Sequence, residues 1–258
     1  MIQTTPGRTV RMESAMPLAA VTFDFHNTLA HCDSWFQHEI RTLVPAILFQ
    51  RSANAGQTLD PATADRATEA YRTLRRGIIE HGRELDATAC AQRVLEELSI
   101  HMDDAEVDAS VESIMRACLD EAEPVPGAIE TVRDLADSGV RLGVISAAVF
   151  HPFLEWALDK FGILDAFDVV VTSASAGYYK TRPELYLHTL KRLGADPARS
   201  VHIGDSHRFD VEGARRAGMR TVWFDRGSEP SSNGVADLTV RELAGLAPLL
   251  FTRFGDAG

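Results

Sequence analysis

The chain has 258 residues, 45% of them hydrophobic and 24% charged, with a formal net charge of −11. That length holds one large domain or a domain carrying an insert, and that apolar share excludes disorder as the default. The acidic balance argues against nucleic acid or an anionic membrane surface as partner, since both need a basic face; it leaves a phosphate substrate open, because a metal and one lysine can set the local field.

Residues 1–16 read as a flexible polar tail, with Met12 and Met16 as alternative starts. Leu18-Ala19-Ala20-Val21-Thr22-Phe23 is apolar and partly β-branched, the pattern of a buried strand. It is too short for a signal-peptide core, and no run approaches the ~20 apolar residues of a membrane span. Asp24 closes this strand, followed by Phe25-His26-Asn27-Thr28-Leu29. Residues 33–122 then read as helix after helix. Phe36, Ile40, Leu43, Val44, Ile47 and Leu48 recur at helical spacing over 35–53. Asp60-Pro61 is an N-cap followed by a proline at the first helical position, opening a helix that Gly82 ends. Helices over 86–98 and 104–121 complete a bundle of four.

From Pro124 onward strands and helices alternate. Helices are expected over 128–138, 152–161, 184–193, 211–217 and 242–250. Strands are expected over 140–145, 169–172, 201–203, 221–224 and 238–240. Gly139, Gly162, Gly194 and Gly218 each follow a helix, the usual left-handed stop. This rhythm predicts a Rossmann-like α/β core, a doubly wound parallel sheet built from 17–32 and 123–258. The four-helix cap of 33–122 is inserted straight after the Asp24 strand. Residues 228–234 read as a surface loop.

Ser200-Val201-His202-Ile203 is a second apolar run, ending in Gly204-Asp205-Ser206, with Asp210 five residues after Asp205. Parallel strands gather such ends at one sheet edge, so Asp24 and Asp205 are expected together there. Gathered carboxylates repel one another unless a hard cation sits among them, and oxygen-only ligands suit Mg²⁺.

The chain resembles the haloacid dehalogenase superfamily, in its branch with a helical cap after the first strand. Four landmarks match in order: the Asp24 segment; Ser146 closing Val140-Arg141-Leu142-Gly143-Val144-Ile145; Lys180 in Gly177-Tyr178-Tyr179-Lys180; and Gly204-Asp205-Ser206 with Asp210, Gly213-Ala214 and Ala217-Gly218. The resemblance implies a Mg²⁺-dependent phosphohydrolase acting on a small phosphorylated metabolite. Asp24 would be the nucleophile, forming an aspartyl-phosphate. Asp205, Asp210 and the backbone carbonyl of His26 would hold Mg²⁺ beside Asp24. Lys180 would pair with phosphate and with the crowded acids, and Ser146 would donate to a phosphate oxygen. Asn27 and Thr28 lie in the turn after Asp24, where backbone N–H groups can also hold phosphate. Each residue has a plainer reading: a loop cap for Asp24, helix N-caps for Asp210 and Ser146, a surface lysine for Lys180.

Two departures stand out. Most phosphatases of the superfamily carry a second aspartate two residues after the first, which protonates the leaving oxygen and then activates water. Here that position is His26, either an acid–base substitute, since imidazole titrates near neutrality, or a spacer. After Lys180 the chain reads Thr181-Arg182-Pro183, with Arg182 facing solvent or adding phosphate affinity. Phosphonate hydrolysis in the superfamily needs a cap lysine, and residues 31–122 contain none. Dehalogenation uses no metal and lacks the Gly-Asp acid pair. A phosphomutase and a catalytically weak binding or regulatory protein remain as alternatives. His31, Trp35 and His38 are candidates to reach the leaving group or to serve as core and hinge residues. Arg72, Arg75 and Arg76 read as a solvated face or as a site for a second anionic group. Cys32, Cys90 and Cys118 form no CxxC pair and read as free thiols of a cytoplasmic protein, monomeric or homodimeric.

Overall fold

In a computed structural model, residues 18–227 and 235–255 are described. The expected tail over 1–16 and loop over 228–234 fall outside them. Strand β1 (Ala20–Phe23) leads to a two-residue strand β2 (Ala30–His31). The cap follows as α1 (Asp33–Gln37), α2 (Leu43–Asn54), α3 (Pro61–His81), α4 (Ala87–Glu97) and α5 (Asp104–Leu119). Then come β3 (Glu123–Pro124), α6 (Ala128–Asp137), β4 (Arg141–Ser146), α7 (His151–Lys160), β5 (Val169–Thr172), α8 (Ser173–Ala176) and α9 (Pro183–Leu193). β6 (Ser200–Gly204), α10 (Glu212–Arg216), β7 (Arg220–Phe224), β8 (Leu238–Val240) and α11 (Leu246–Phe254) close the core.

Six strands form one parallel sheet in the order β5-β4-β1-β6-β7-β8. All four residues of β1 are buried, as a central strand covered on both faces requires. β1 pairs with β4 on one side and β6 on the other, and the Asp24 N–H extends the ladder to the Ile203 carbonyl (2.8 Å). The ends of β1 and β6 therefore lie side by side. In the cap, Asp60, Asp86 and Asp103 cap α3, α4 and α5 by accepting from the N–H of Thr63 (3.0 Å), Ala89 (2.8 Å) and Glu106 (2.7 Å).

Four details differ from the sequence reading. The first cap helix is broken by a π-helical turn over His38–Thr42. A second π turn, His207–Val211, precedes α10. The last helix begins at Leu246 instead of 242, behind Gly245 in a left-handed conformation (φ 72°). β2 and β3 pair antiparallel where the chain enters and leaves the cap, a contact too short to leave any periodicity. Cys32, Cys90 and Cys118 are free and buried. Among the described residues, no helix is long and apolar enough to cross a membrane.

The seam between cap and core is polar and buried. The Glu84 carboxylate accepts from both terminal nitrogens of Arg75, from the Ser173 hydroxyl (2.8 Å) and from the Leu85 N–H (3.0 Å). Glu39, in the first π turn, accepts from the Val149 N–H of the core (2.7 Å). Burial pushes the Glu39 carboxyl up from 4.5 to about 8, against the Val149 N–H and Arg75, which pull it down. A group raised in the folded state contributes stability below its unfolded value and loses it as pH rises toward its folded value. Glu39→Gln removes this titration. Its Tm relative to the wild type should rise by several degrees between pH 4.5 and pH 8; a difference constant over that window, read by calorimetry at matched salt, would contradict the assignment.

Candidate active site

Asp24 sits one residue beyond β1, in the turn that reverses the chain toward the cap. The Phe25 carbonyl accepts from the N–H of Thr28, Leu29 and Ala30 (3.3, 2.8 and 3.0 Å), and Asn27 adopts the left-handed conformation (φ 65°) that asparagine tolerates. The Thr28 hydroxyl donates to Asp24 Oδ2 (3.3 Å). Among the described residues, nothing in the backbone donates to the His26 carbonyl. Asp205 follows Gly204 at the end of β6, and Asp210 returns from the second π turn. A Cβ on Gly204 would collide with the Asp210 carboxylate, so glycine is what lets that side chain in. Asp210 is no helix N-cap; Ser206 caps the turn, and Asp210 Oδ2 accepts from the Ser206 N–H (3.0 Å).

Lys180 is buried, not a surface lysine. Its Nζ donates to Asp24 Oδ1 and to Asp210 Oδ1 (2.6 Å). His202, which the sequence did not mark, stands behind them. Its Nε2 lies 3.2 Å from Asp210 Oδ1, and its Nδ1 lies 2.9 Å from Thr22 Oγ1. The only signal for it was a histidine inside a strand read as apolar. α10 packs against this corner so closely that a Cβ on Gly213 would lie 2.7 Å from the Tyr186 hydroxyl and 2.8 Å from the Lys180 carbonyl oxygen.

Oxygens of Asp24, Asp205 and Asp210 all lie within 4.8 Å of one another. Burial would raise Asp210, but Lys180 and His202 outweigh it and hold its carboxyl down to about 2. Burial pushes Asp24 up to about 6, with Lys180 opposing and Asp210 adding to the rise. Asp205 is pushed up to about 8 by burial and by its two acidic neighbours. No described residue donates a hydrogen bond to the Asp205 carboxylate. With all three carboxylates ionised, one lysine would leave two negative charges uncompensated, which is the charge of one divalent cation. The donors are all oxygen, and the His26 carbonyl is free to join them. The residues thus fit Mg²⁺.

These groups line one cavity of about 410 Å³, together with His26, Asn27, Ser146 and Trp35. Thr28 reaches the site through Asp24. Ser146 is no N-cap; it closes β4, and no described residue bonds its hydroxyl. The Asn27 amide oxygen lies 3.2 Å from His31 Nδ1, and His38 bonds Thr42; neither histidine lines the cavity. Arg182 faces solvent, paired with Glu184 (2.7 Å). The reading of Arg75 as part of a solvated face is corrected: it is 3% exposed, because Glu84 draws it into the seam. Phe36, Ile40, Ile79, Tyr179 and Phe209 also line the cavity, and sequence reasoning gave them no site role.

His26 stacks on Phe36 at 4.4 Å between ring centroids. Its Nε2 is buried without a hydrogen-bond partner, and the exposed Asp33 carboxylate lies 3.9 Å away. Burial lowers its pKa to about 4, with Asp33 opposing. The ring is neutral at physiological pH.

A model of the haloacid dehalogenase-like hydrolases matches residues 18–218, which span both the cap and the acidic site. The chain belongs to that family. This haloacid dehalogenase-like hydrolase is 28% identical to the glyceraldehyde 3-phosphate phosphatase of Methanopyrus kandleri, over 81% of this chain and 85% of that protein. It is 31% identical to the ribulose-1,5-bisphosphate 5-phosphatase of Halopiger xanaduensis, over 49% of this chain and 52% of that protein. Among solved structures it is similar to a HAD phosphatase from Thermococcus onnurineus, with a TM-score of 0.61 and 26% identity over 90% of this chain and 97% of the other. A 2-haloacid dehalogenase from Pseudomonas syringae shares the fold, with a TM-score of 0.70 at 22% identity over 92% of this chain and 100% of the other.

Proposed function

We propose that this haloacid dehalogenase-type phosphatase hydrolyses a small phosphorylated sugar or similar metabolite, with Mg²⁺ at Asp24, Asp205 and Asp210 and Asp24 as nucleophile. The observation that carries the reading is the convergence of three carboxylates, two of them paired with one buried lysine, at the adjoining ends of β1 and β6. The named activities of the relatives support a phosphosugar as substrate.

Bound Mg²⁺ supplies positive charge for the non-bridging phosphate oxygens and keeps Asp24 ionised. The chain supplies the rest. Lys180 and the Thr28 hydroxyl fix the Asp24 carboxylate from two sides. An Asp24 oxygen bonds to phosphorus as the bond from phosphorus to the leaving oxygen breaks. The Ser146 hydroxyl and the backbone N–H groups after Asp24 hold the equatorial oxygens. Water then attacks the same phosphorus, the bond to Asp24 breaks, and inorganic phosphate leaves.

A neutral His26 has no imidazolium proton to give the leaving oxygen. It serves as a spacer in the first half of the reaction and is free to take the proton of the attacking water in the second. The rate should therefore depend steeply on the leaving group. Aryl phosphates should turn over at least about 100-fold faster than alkyl phosphates, the size of a typical general-acid contribution. His26→Asp should narrow that gap, whereas His26→Ala should leave it in place. A wild type indifferent to the leaving group would show that His26 is an acid after all. The reading as a whole is tested by hydrolysis of 4-nitrophenyl phosphate with Mg²⁺ and with chelator: turnover should require the metal, and metal-independent turnover would contradict it.

A further inference from the structure

A second cavity, of about 330 Å³, opens beside the first. The two adjoin, with Ile40, Arg75, Ile79 and Phe209 as their shared wall. Both π turns contribute to it, Ile40 from one and Phe209 from the other. π turns often mark functional sites, because they re-aim side chains that a regular helix would place elsewhere.

The outer cavity has the opposite charge to the inner one. It is lined by Arg72 and Arg76 of α3 and by Arg208 of the second π turn, with Glu80 as the sole acid. This is unusual for a chain with a net charge of −11. Arg72 is partly satisfied by Glu69 at 3.6 Å. Among the described residues, Arg76 and Arg208 form no ion pair. They come from cap and core, so the fold assembles the cluster from two distant parts of the chain. At the neck, the Arg75 guanidinium is held by Glu84, but its buried Nε has no hydrogen-bond partner. Between the two charged ends the wall is Ile40, Ile79 and the Phe209 ring.

We infer that the substrate carries a second anionic group, a carboxylate or a phosphate, at the end remote from the transferred phosphoryl group, and that Arg76 and Arg208 bind it. This rests on the phosphatase reading above and names the substrate class for that site. The phosphoryl group lies at Asp24, the carbon skeleton runs along Ile40, Ile79 and Phe209, and the second anion meets the arginines. Guanidinium groups suit both oxyanions, since each can accept two parallel hydrogen bonds.

The test uses matched aryl pairs. One is 4-carboxyphenyl phosphate against 4-(hydroxymethyl)phenyl phosphate; the other is hydroquinone bisphosphate against hydroquinone monophosphate. Wild type should prefer the doubly anionic member of at least one pair by about tenfold or more in kcat/KM, mainly through KM. The pair that shows the preference identifies the second anion. Arg76→Gln/Arg208→Gln should abolish the preference, and Arg76→Lys/Arg208→Lys should restore part of it. A wild type without preference, or a preference that survives the glutamine double variant, overturns the inference. If no ester is hydrolysed, the phosphatase reading fails instead. Calorimetric binding of hydroquinone bisphosphate then decides the anion site alone: at least tenfold weaker binding to the glutamine variant supports it, and equal binding overturns it.

Discussion

Asp24→Asn should lose phosphatase activity by a factor of about 10⁴ or more, the scale seen when a covalent nucleophile is removed. Asn is nearly isosteric: its amide oxygen can still accept from Lys180, and its amide N–H can donate to the Thr28 hydroxyl in place of the bond Thr28 gave the second carboxylate oxygen. What disappears is the charged oxygen that bonds to phosphorus. Removing one of three crowded carboxylates also relieves repulsion on Asp205, which its neighbours help to push up to about 8. The variant should therefore remain folded, with a Tm no lower than the wild type. Initial rates on 4-nitrophenyl phosphate at saturating Mg²⁺, together with a thermal melt, check both halves. Activity within tenfold of the wild type would remove Asp24 from the chemistry.

Arg75→Met should be the most destabilising single change in the cap. It leaves the fully buried Glu84 carboxylate without its counter-charge, retaining only Ser173 and the Leu85 N–H as donors. Breaking a buried pair from one side costs about 3–5 kcal/mol, because an uncompensated charge stays behind. For a chain of this size that corresponds to a Tm lower by roughly 10 °C. The double variant Arg75→Met/Glu84→Leu removes both charges and should recover most of the loss. A double variant no better than Arg75→Met would show that Arg75 acts through packing, including its approach to the Tyr179 ring at 5.9 Å, and not through charge.

The placement of the candidate site was legible in the sequence wherever its residues sit at strand ends. Asp24, Ser146 and Asp205 each terminate a short apolar run, and a parallel sheet forces such ends to one edge. Lys180 and Asp210 were legible by resemblance, through short spacings that survive in the primary sequence. The partners that set the electrostatics were not. His202 looks like one more residue of a buried strand, yet it holds Asp210. Glu39 and Arg75 look like polar faces of amphipathic helices, and their burial follows from how the cap docks on the core, a contact between positions far apart in the chain. The π turns were also hidden. Over five residues a π turn and an α-helical turn share nearly the same apolar spacing, so Ile40 was read as an ordinary helical residue, and Phe209 fell just before the helix expected over 211–217. Ile40, Arg75 and Phe209 line the outer cavity, which is why the phosphoryl end of the proposed site could be read from the sequence further than the leaving-group end.

We propose a carboxylate attack on phosphorus that depends on a divalent cation held by acids from two strand ends. It is tested most directly by trapping the intermediate. Enzyme turning over 4-nitrophenyl phosphate with Mg²⁺ is treated with borohydride, which reduces an acyl phosphate to an alcohol, and the reduced residue is located by peptide mass spectrometry. The account predicts reduction at Asp24 alone, lost when Mg²⁺ is chelated and lost in Asp205→Asn. Sustained turnover with no reduced residue, or with reduction at a different carboxylate, would contradict it.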